Sequence, residues 1–137
     1  MSSSDETLHA EIDRLKTELA SQQAENIMYK KLFDVSGDAL SIIDLTTGKF
    51  IRCNQAAMIL HGVGSAEKFL NLKPSDISPE YQPCGRASEE MAVEYIQKAY
   101  SDGPQLFQWI HSRLDGSTFP CLVSLSALTV GNQSLVL

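Results

Sequence analysis

Between residues 5 and 33 apolar side chains recur at spacings of four, three and four, at Leu8, Ile12, Leu15 and Leu19. The same beat continues onto Gln22, Asn26, Tyr29 and Phe33. This is a 3-4 heptad seam with Leu8, Leu15, Gln22 and Tyr29 at d and Ile12, Leu19, Asn26 and Phe33 at a. The other positions of 9–26 are polar apart from Ala10, Ala20 and Ala24, and neither Gly nor Pro occurs before Gly37. One long helix is predicted. So narrow a stripe buries little by itself, so pairing with a second copy as a coiled coil is expected. Leu8, Ile12, Leu15 and Leu19 would form the contact, with Asn26 fixing the register of a parallel pair. The seam weakens after Leu19, and the alternative is a single helix that folds back on its own domain.

After Ser36-Gly37 the period changes. Ala39–Asp44 and Lys49–Cys53 read as two strands joined through Leu45–Gly48, a hairpin whose glycine suits a positive φ. Asn54 is placed to cap a short helix at 55–61 that Gly62 ends, and Ser65 to cap another at 66–70. Pro74 opens a brief helical turn near Ser75–Ile77. A Pro- and Gly-containing loop at 78–87 precedes a helix at 89–101 with Ser88 as its cap, striped by Met91, Ala92, Tyr95, Ile96 and Ala99. Asp102-Gly103-Pro104 stops it.

Strict alternation follows. In 105–114, Phe107, Trp109 and His111 share one face, while Gln108, Ile110 and Ser112 share the other. Asp115-Gly116 reads as a two-residue type I′ turn. The partner strand, 118–128, puts Phe119, Cys121, Val123 and Leu125 on one face. Gly131-Asn132 predicts a second tight turn into a last strand from Gln133 to Leu137, inside which the chain stops, as a piece of a longer polypeptide would. The order implies an α+β domain: a five-stranded antiparallel sheet with short helices gathered on one face, over 34–137, behind a dimerisation helix over 1–33.

Composition narrows the function. The chain has 137 residues, one domain's worth, and 43% of them are apolar, which argues against disorder. Eleven Lys and Arg face seventeen Asp and Glu, for a net charge of −6, so wrapping of nucleic acid is disfavoured. The three cysteines, Cys53, Cys84 and Cys121, have no metal-like spacing and an odd count, so neither a disulfide framework nor a metal site is expected. Reduced thiols point to a cytoplasmic setting. The first residues lack a basic flank and an apolar core, so no signal peptide is expected there, and no apolar run approaches the roughly 18 residues of a membrane span. No phosphate loop, carboxylate pair or nucleophile–base motif is visible, so no catalytic residues are assigned and the chain is not expected to be an enzyme.

Five segments, in order, resemble the PAS domain. They are Tyr29-Lys30-Lys31-Leu32-Phe33-Asp34; Asp38–Asp44 followed by Gly48; Cys53-Asn54-Gln55-Ala56-Ala57; Leu60-His61-Gly62 with Ser65-Ala66-Glu67; and Phe107-x-Trp109-x-His111-x-Arg113-x-Asp115-Gly116 followed by Phe119-Pro120. The resemblance covers about 28–137. It implies a small sheet whose helices form a cup, in a sensory module of a bacterial-type signal-transduction protein. Such a module passes its signal through flanking helices to an effector, commonly a histidine kinase or a diguanylate cyclase.

Within such a cup, Tyr95, Phe107, Trp109, His111, Cys121 and Val123 are the candidate ligand-lining residues. They suit a mostly apolar small organic ligand with one or two polar anchors; the alternative is that they simply fill the core. Haem-binding members of the family coordinate iron from the long core helix, which here has no histidine. His61 and His111 are the remaining candidates, and His9 lies in the coiled coil. The Asn-Cys-Arg-type motif of flavin photosensors is absent, since Cys53-Asn54 reverses the letters at a strand end. Cys84 stands alone in a loop, where a covalent chromophore is the less expected reading. No cofactor is predicted. On the opposite sheet face Ile110 and Leu122 form an apolar patch that calls for a cover, either the N-terminal helix or a partner sheet. Three readings follow: a ligand sensor, a ligand-free protein–protein dimerisation domain, or a haem- or flavin-bearing redox or gas sensor.

Overall fold

The computed structural model describes residues 3–131 and 133–137. The chain divides into two compact units, one up to Asp34 and one from Val35 to Leu137.

Helix α1, Ser3–Val35, makes up the first unit and ends on the first residue of the second; it runs 33 residues without a break, or about 50 Å of helix. The heptad positions Leu8, Ile12, Leu15 and Leu19 are exposed along it, and so is Asn26. Arg14 pairs with Glu11 and Glu18 on the polar side. These exposed ion pairs contribute only tenths of a kcal/mol each, about 0.3–0.5. The apolar stripe of Leu8, Ile12, Leu15 and Leu19 is thus exposed along one side of this helix.

The second unit is α+β. Its strands are β1 (Ser41–Asp44), β2 (Lys49–Cys53), β3 (Gln105–Ser112), β4 (Thr118–Leu125), β5 (Ala127–Val130) and β6 (Gln133–Val136). Its helices are α2 (Gln55–His61), α3 (Ala66–Leu70), a 3-10 turn at Pro74–Ile77, and α4 (Ser88–Ser101). All pairings are antiparallel. Glycines sit where the chain turns left-handed: Gly48 at φ +72° closes the β1–β2 hairpin, and Gly103 at φ +95° follows α4. The core gathers Ile43, Phe50, Ala57, Val63, Phe69, Ile77 and Val136 between sheet and short helices.

The strands do not form one five-stranded sheet. Four pair in the order β2-β1-β6-β5, and β3-β4 stand as a separate ribbon. The predicted strand 118–128 is interrupted at Ser126, which exchanges two backbone hydrogen bonds of 2.9 Å with Leu137. Before that point the chain pairs with β3; after it, with β6.

Two local expectations are also corrected. The Asp115-Gly116 turn is not type I′, because no described non-glycine residue has positive φ and type I′ needs two such positions. Arg113 and Ser117 close the turn instead, with Gly116 at φ +89° and the Asp115 carboxylate accepting from the Ser117 N–H and hydroxyl. Ser88 does not cap α4 either. It is buried in the first turn, and its hydroxyl accepts a 2.8 Å bond from the Gln82 amide. The Gly131-Asn132 turn involves Asn132, which lies outside the described residues. Val130 and Gln133 flank it as a register pair.

Candidate ligand-binding cavity

The alternation of β3 and β4 decides which side chains turn inward. Phe107, Trp109 and His111 face the helices from β3, opposite Val123, Cys121 and Phe119 of β4. Between this ribbon, the β1 edge and the helices lies a cavity of about 620 Å³. Phe107, Trp109, His111, Cys121 and Val123 all line it; Tyr95 does not. Tyr95 stands on α4 and stacks flat on Phe107, at 3.7 Å between centroids and 7° between planes, with its edge toward Trp109. The α4 stripe thus splits its tasks: Tyr95 braces the back of Phe107, while Ala92 and Ile96 reach the cavity.

Polar groups in the wall are held by backbone carbonyls and loop side chains. The Trp109 indole N–H donates to Ser78 Oγ at 3.0 Å, and that hydroxyl donates to the Pro74 carbonyl at 3.2 Å. His111 Nδ1 pairs with the Ile77 carbonyl at 3.0 Å. Gln82 binds both backbone groups of Ile110 through its side-chain amide, at 3.0 Å each, as a strand would. The loop before α4 is therefore fastened to the outer edge of β3. His61, at the end of α2, is 5% exposed and meets the His111 ring edge-on at 4.7 Å.

Among the described residues, Asp38, exposed at the rim, is the one Asp, Glu, Lys or Arg that lines the cavity. Burial, reinforced by His111 and Arg113, pushes the His61 pKa down to about 4 against the opposing pull of the Ser112 carbonyl. Burial also lowers His111 and raises the Cys121 thiol. A folded-state histidine pKa below the unfolded value of 6.5 means that the unfolded chain takes up the proton first. Stability is then complete above that pH and is lost as the pH falls toward 4. From His61 alone the loss between about pH 7.5 and pH 5 is about 2 kcal/mol. Urea unfolding at the two pH values is expected to show it, with a smaller loss in His61→Phe. Equal midpoints at both pH values would remove the buried, neutral His61 from the account.

Asp38–Ser41 line one side of the cavity and Leu122–Ser126 with Leu137 another; β1 pairs with β6 at Ile43 and Asp44, and β4 pairs with β3.

The outer face of the ribbon carries the predicted apolar patch in altered form. Leu122 is 67% exposed, but Ile110 is half-buried beside the Gln82 clamp; Leu106, diagonal to Leu122, is 68% exposed and is the second member of the patch. Among the described residues there is no cluster of three or more His, Cys, Asp or Glu side chains placed to hold a metal ion. Nor is any described helix long and apolar enough to cross a membrane.

A family model of the PAS domain matches residues 37–137. The chain belongs to the PAS domain family. Solved PAS structures share its fold. A PAS domain from a two-component sensor histidine kinase superposes with a TM-score of 0.67 at 16% identity, over 84% of this chain and 93% of that one. A domain of a sensory box sensor histidine kinase/response regulator from Geobacter sulfurreducens gives 0.60 at 20%, over 82% and 90%. An RNA-binding light-oxygen-voltage receptor gives 0.61 at 19%, over 80% of this chain and 31% of that one. At these identities the likeness is one of fold. No curated protein matches the chain by sequence. The motif residues of the PAS resemblance have structural tasks here. Asn54 is the cap of α2, Gly62 its left-handed end at φ +68°, and Asp115-Gly116 the β3–β4 turn.

Proposed function

We propose that this PAS domain is the small-molecule input and dimerisation segment of a signalling protein, with α1 pairing two copies. The observation that carries the reading is the 620 Å³ cavity, walled mostly by apolar side chains and a few fixed polar groups, as small-ligand sites are. The exposed heptad stripe of Leu8, Ile12, Leu15 and Leu19 supports the pairing, and the Leu106–Leu122 patch offers a second contact.

A ligand that favours one of two arrangements of the domain shifts the balance between two states of whatever effector is attached. A histidine kinase or diguanylate cyclase is the effector class proposed, and the cytoplasm the compartment.

Light scattering on the purified chain tests the pairing. The wild type is expected at twice the chain mass of 15.1 kDa. Leu15→Lys, which places a charge in the middle of the seam, is expected to run as a monomer with the unfolding midpoint of the globular unit unchanged. A wild-type monomer would reject the coiled coil.

A further inference from the structure

Among the described residues that line the cavity, Asp38 is the one formally charged side chain, and the backbone beneath it is held on both sides. Its N–H donates to Ser36 Oγ at 3.2 Å, and its carbonyl accepts from Nδ2 of Asn54, the cap of α2, at 2.8 Å. Its carboxylate is exposed at the rim and has no Lys or Arg partner among the described residues. Two ring N–H donors of the wall are already committed. The Trp109 indole donates to Ser78 Oγ at 3.0 Å, and His111 Nδ1 to the Ile77 carbonyl at 3.0 Å, since a carbonyl can only accept. No Lys or Arg lines the cavity, and burial holds His61 and His111 below their ordinary pKa, so neither ring is a cation at neutral pH. The wall thus offers a ligand apolar surface, a few hydroxyls and one fixed negative charge at the rim.

We propose that the cavity takes a small molecule with an apolar body and one protonated amine, the ammonium resting on Asp38 at the rim. The inference rests on the ligand-sensing reading and gives that ligand its chemical class. Ile96, Phe107, Trp109 and Val123 receive the body. The ammonium donates to a carboxylate that no cation of the protein occupies, a charge-assisted bond. The net charge of −6 draws it toward the chain as well. A carboxylate or phosphate on the ligand would meet Asp38 with no positive group on the wall to offset the repulsion. The body enters first, because an ammonium carried inward would lose water and find no counter-charge, whereas at the rim it keeps both. Water also screens the pair there, so the preference is a matter of a few-fold in affinity.

The probes are 2-phenylethylammonium, 2-phenylethanol and 3-phenylpropionate, which share a ring and arm and differ in charge. Each is titrated at low salt into the ¹⁵N-labelled 137-residue chain, with the indole N–H of Trp109, the chain's one tryptophan, reporting from the cavity wall. The ammonium is expected to move that resonance and to bind about three- to fivefold more tightly than the alcohol, as an exposed ion pair dictates. The carboxylate is expected to bind more weakly than the alcohol. Salt at about 1 M, where the Debye length falls to about 3 Å, is expected to erase the margin of the ammonium. Asp38→Asn keeps the backbone bonds of residue 38 and is expected to bring ammonium and alcohol to equal affinity, with the alcohol unchanged; if that variant does not fold, the salt series decides. Equal binding of ammonium and alcohol to the wild type, or a margin that survives Asp38→Asn, overturns the inference but leaves the cavity a ligand site. Tighter binding of the carboxylate overturns it in the same way. If none of the three moves the Trp109 resonance, the ligand-sensing reading falls as well.

Discussion

Replacing Asn54 with alanine is expected to lower the unfolding free energy by about 3 kcal/mol. Asn54 is 1% exposed and makes contacts on both sides of its amide. Its Oδ1 accepts from the Ala57 N–H at 3.0 Å, capping α2, and from the Leu40 N–H at 3.0 Å, holding the entry to β1. Its Nδ2 donates to the Asp38 carbonyl at 2.8 Å and, at 3.5 Å, to that of Ser36. Alanine removes the cap and leaves backbone groups of two segments unpaired in a site with little water to replace them. A lost cap costs about 1 kcal/mol, and each buried group left without a partner about 1 kcal/mol or more. Asn54→Ser keeps the cap acceptor and gives up the amide donors, so about half the loss is expected. Urea unfolding with an unchanged slope is the measurement. A loss under about 1 kcal/mol would show that Asn54 acts only as a helix cap.

Phe69→Ala is expected to cost about 4 kcal/mol. Phe69 is fully buried in the last turn of α3, packed against Phe50 at 4.8 Å between ring centroids and beside His61 at 6.0 Å. The helix is only five residues long and is capped by Ser65. So short a helix has little stability of its own and depends on this one anchor. Removing the ring opens a void beneath β2 and takes away one neighbour of His61. The His61 pKa should then move up from about 4 toward its ordinary value as water enters. Equilibrium unfolding gives the first quantity and an NMR titration of His61 the second. A stability change below about 2 kcal/mol would mean that the site collapses around the lost ring.

Much of this structure was legible in the chain because the signals were local. Gly48, Asn54, Gly62, Ser65 and Gly103 each mark a turn or an end whose backbone geometry that residue favours, and the elements begin and end there. The strict alternation from Phe107 to Leu125 placed the inward face correctly, since a one-residue slip would have exposed Trp109, which is 5% exposed. What the chain did not reveal depends on partners far away in sequence. Ser88 looks like a cap until Gln82 is known to use its hydroxyl. The stacking of Tyr95 on Phe107 rather than beside the cavity depends on where α4 crosses the ribbon, which a helical stripe does not specify. His61 carried no signal beyond its place before Gly62. Its burial becomes visible only once Phe69, His111 and Phe119 close around it.

Native mass spectrometry of the chain as purified tests most directly whether two copies hold a small molecule between input and output. The account predicts a species at twice 15.1 kDa with additional mass that leaves on mild activation. A bare single chain, with no dimer and no adduct at any protein concentration tried, would contradict it.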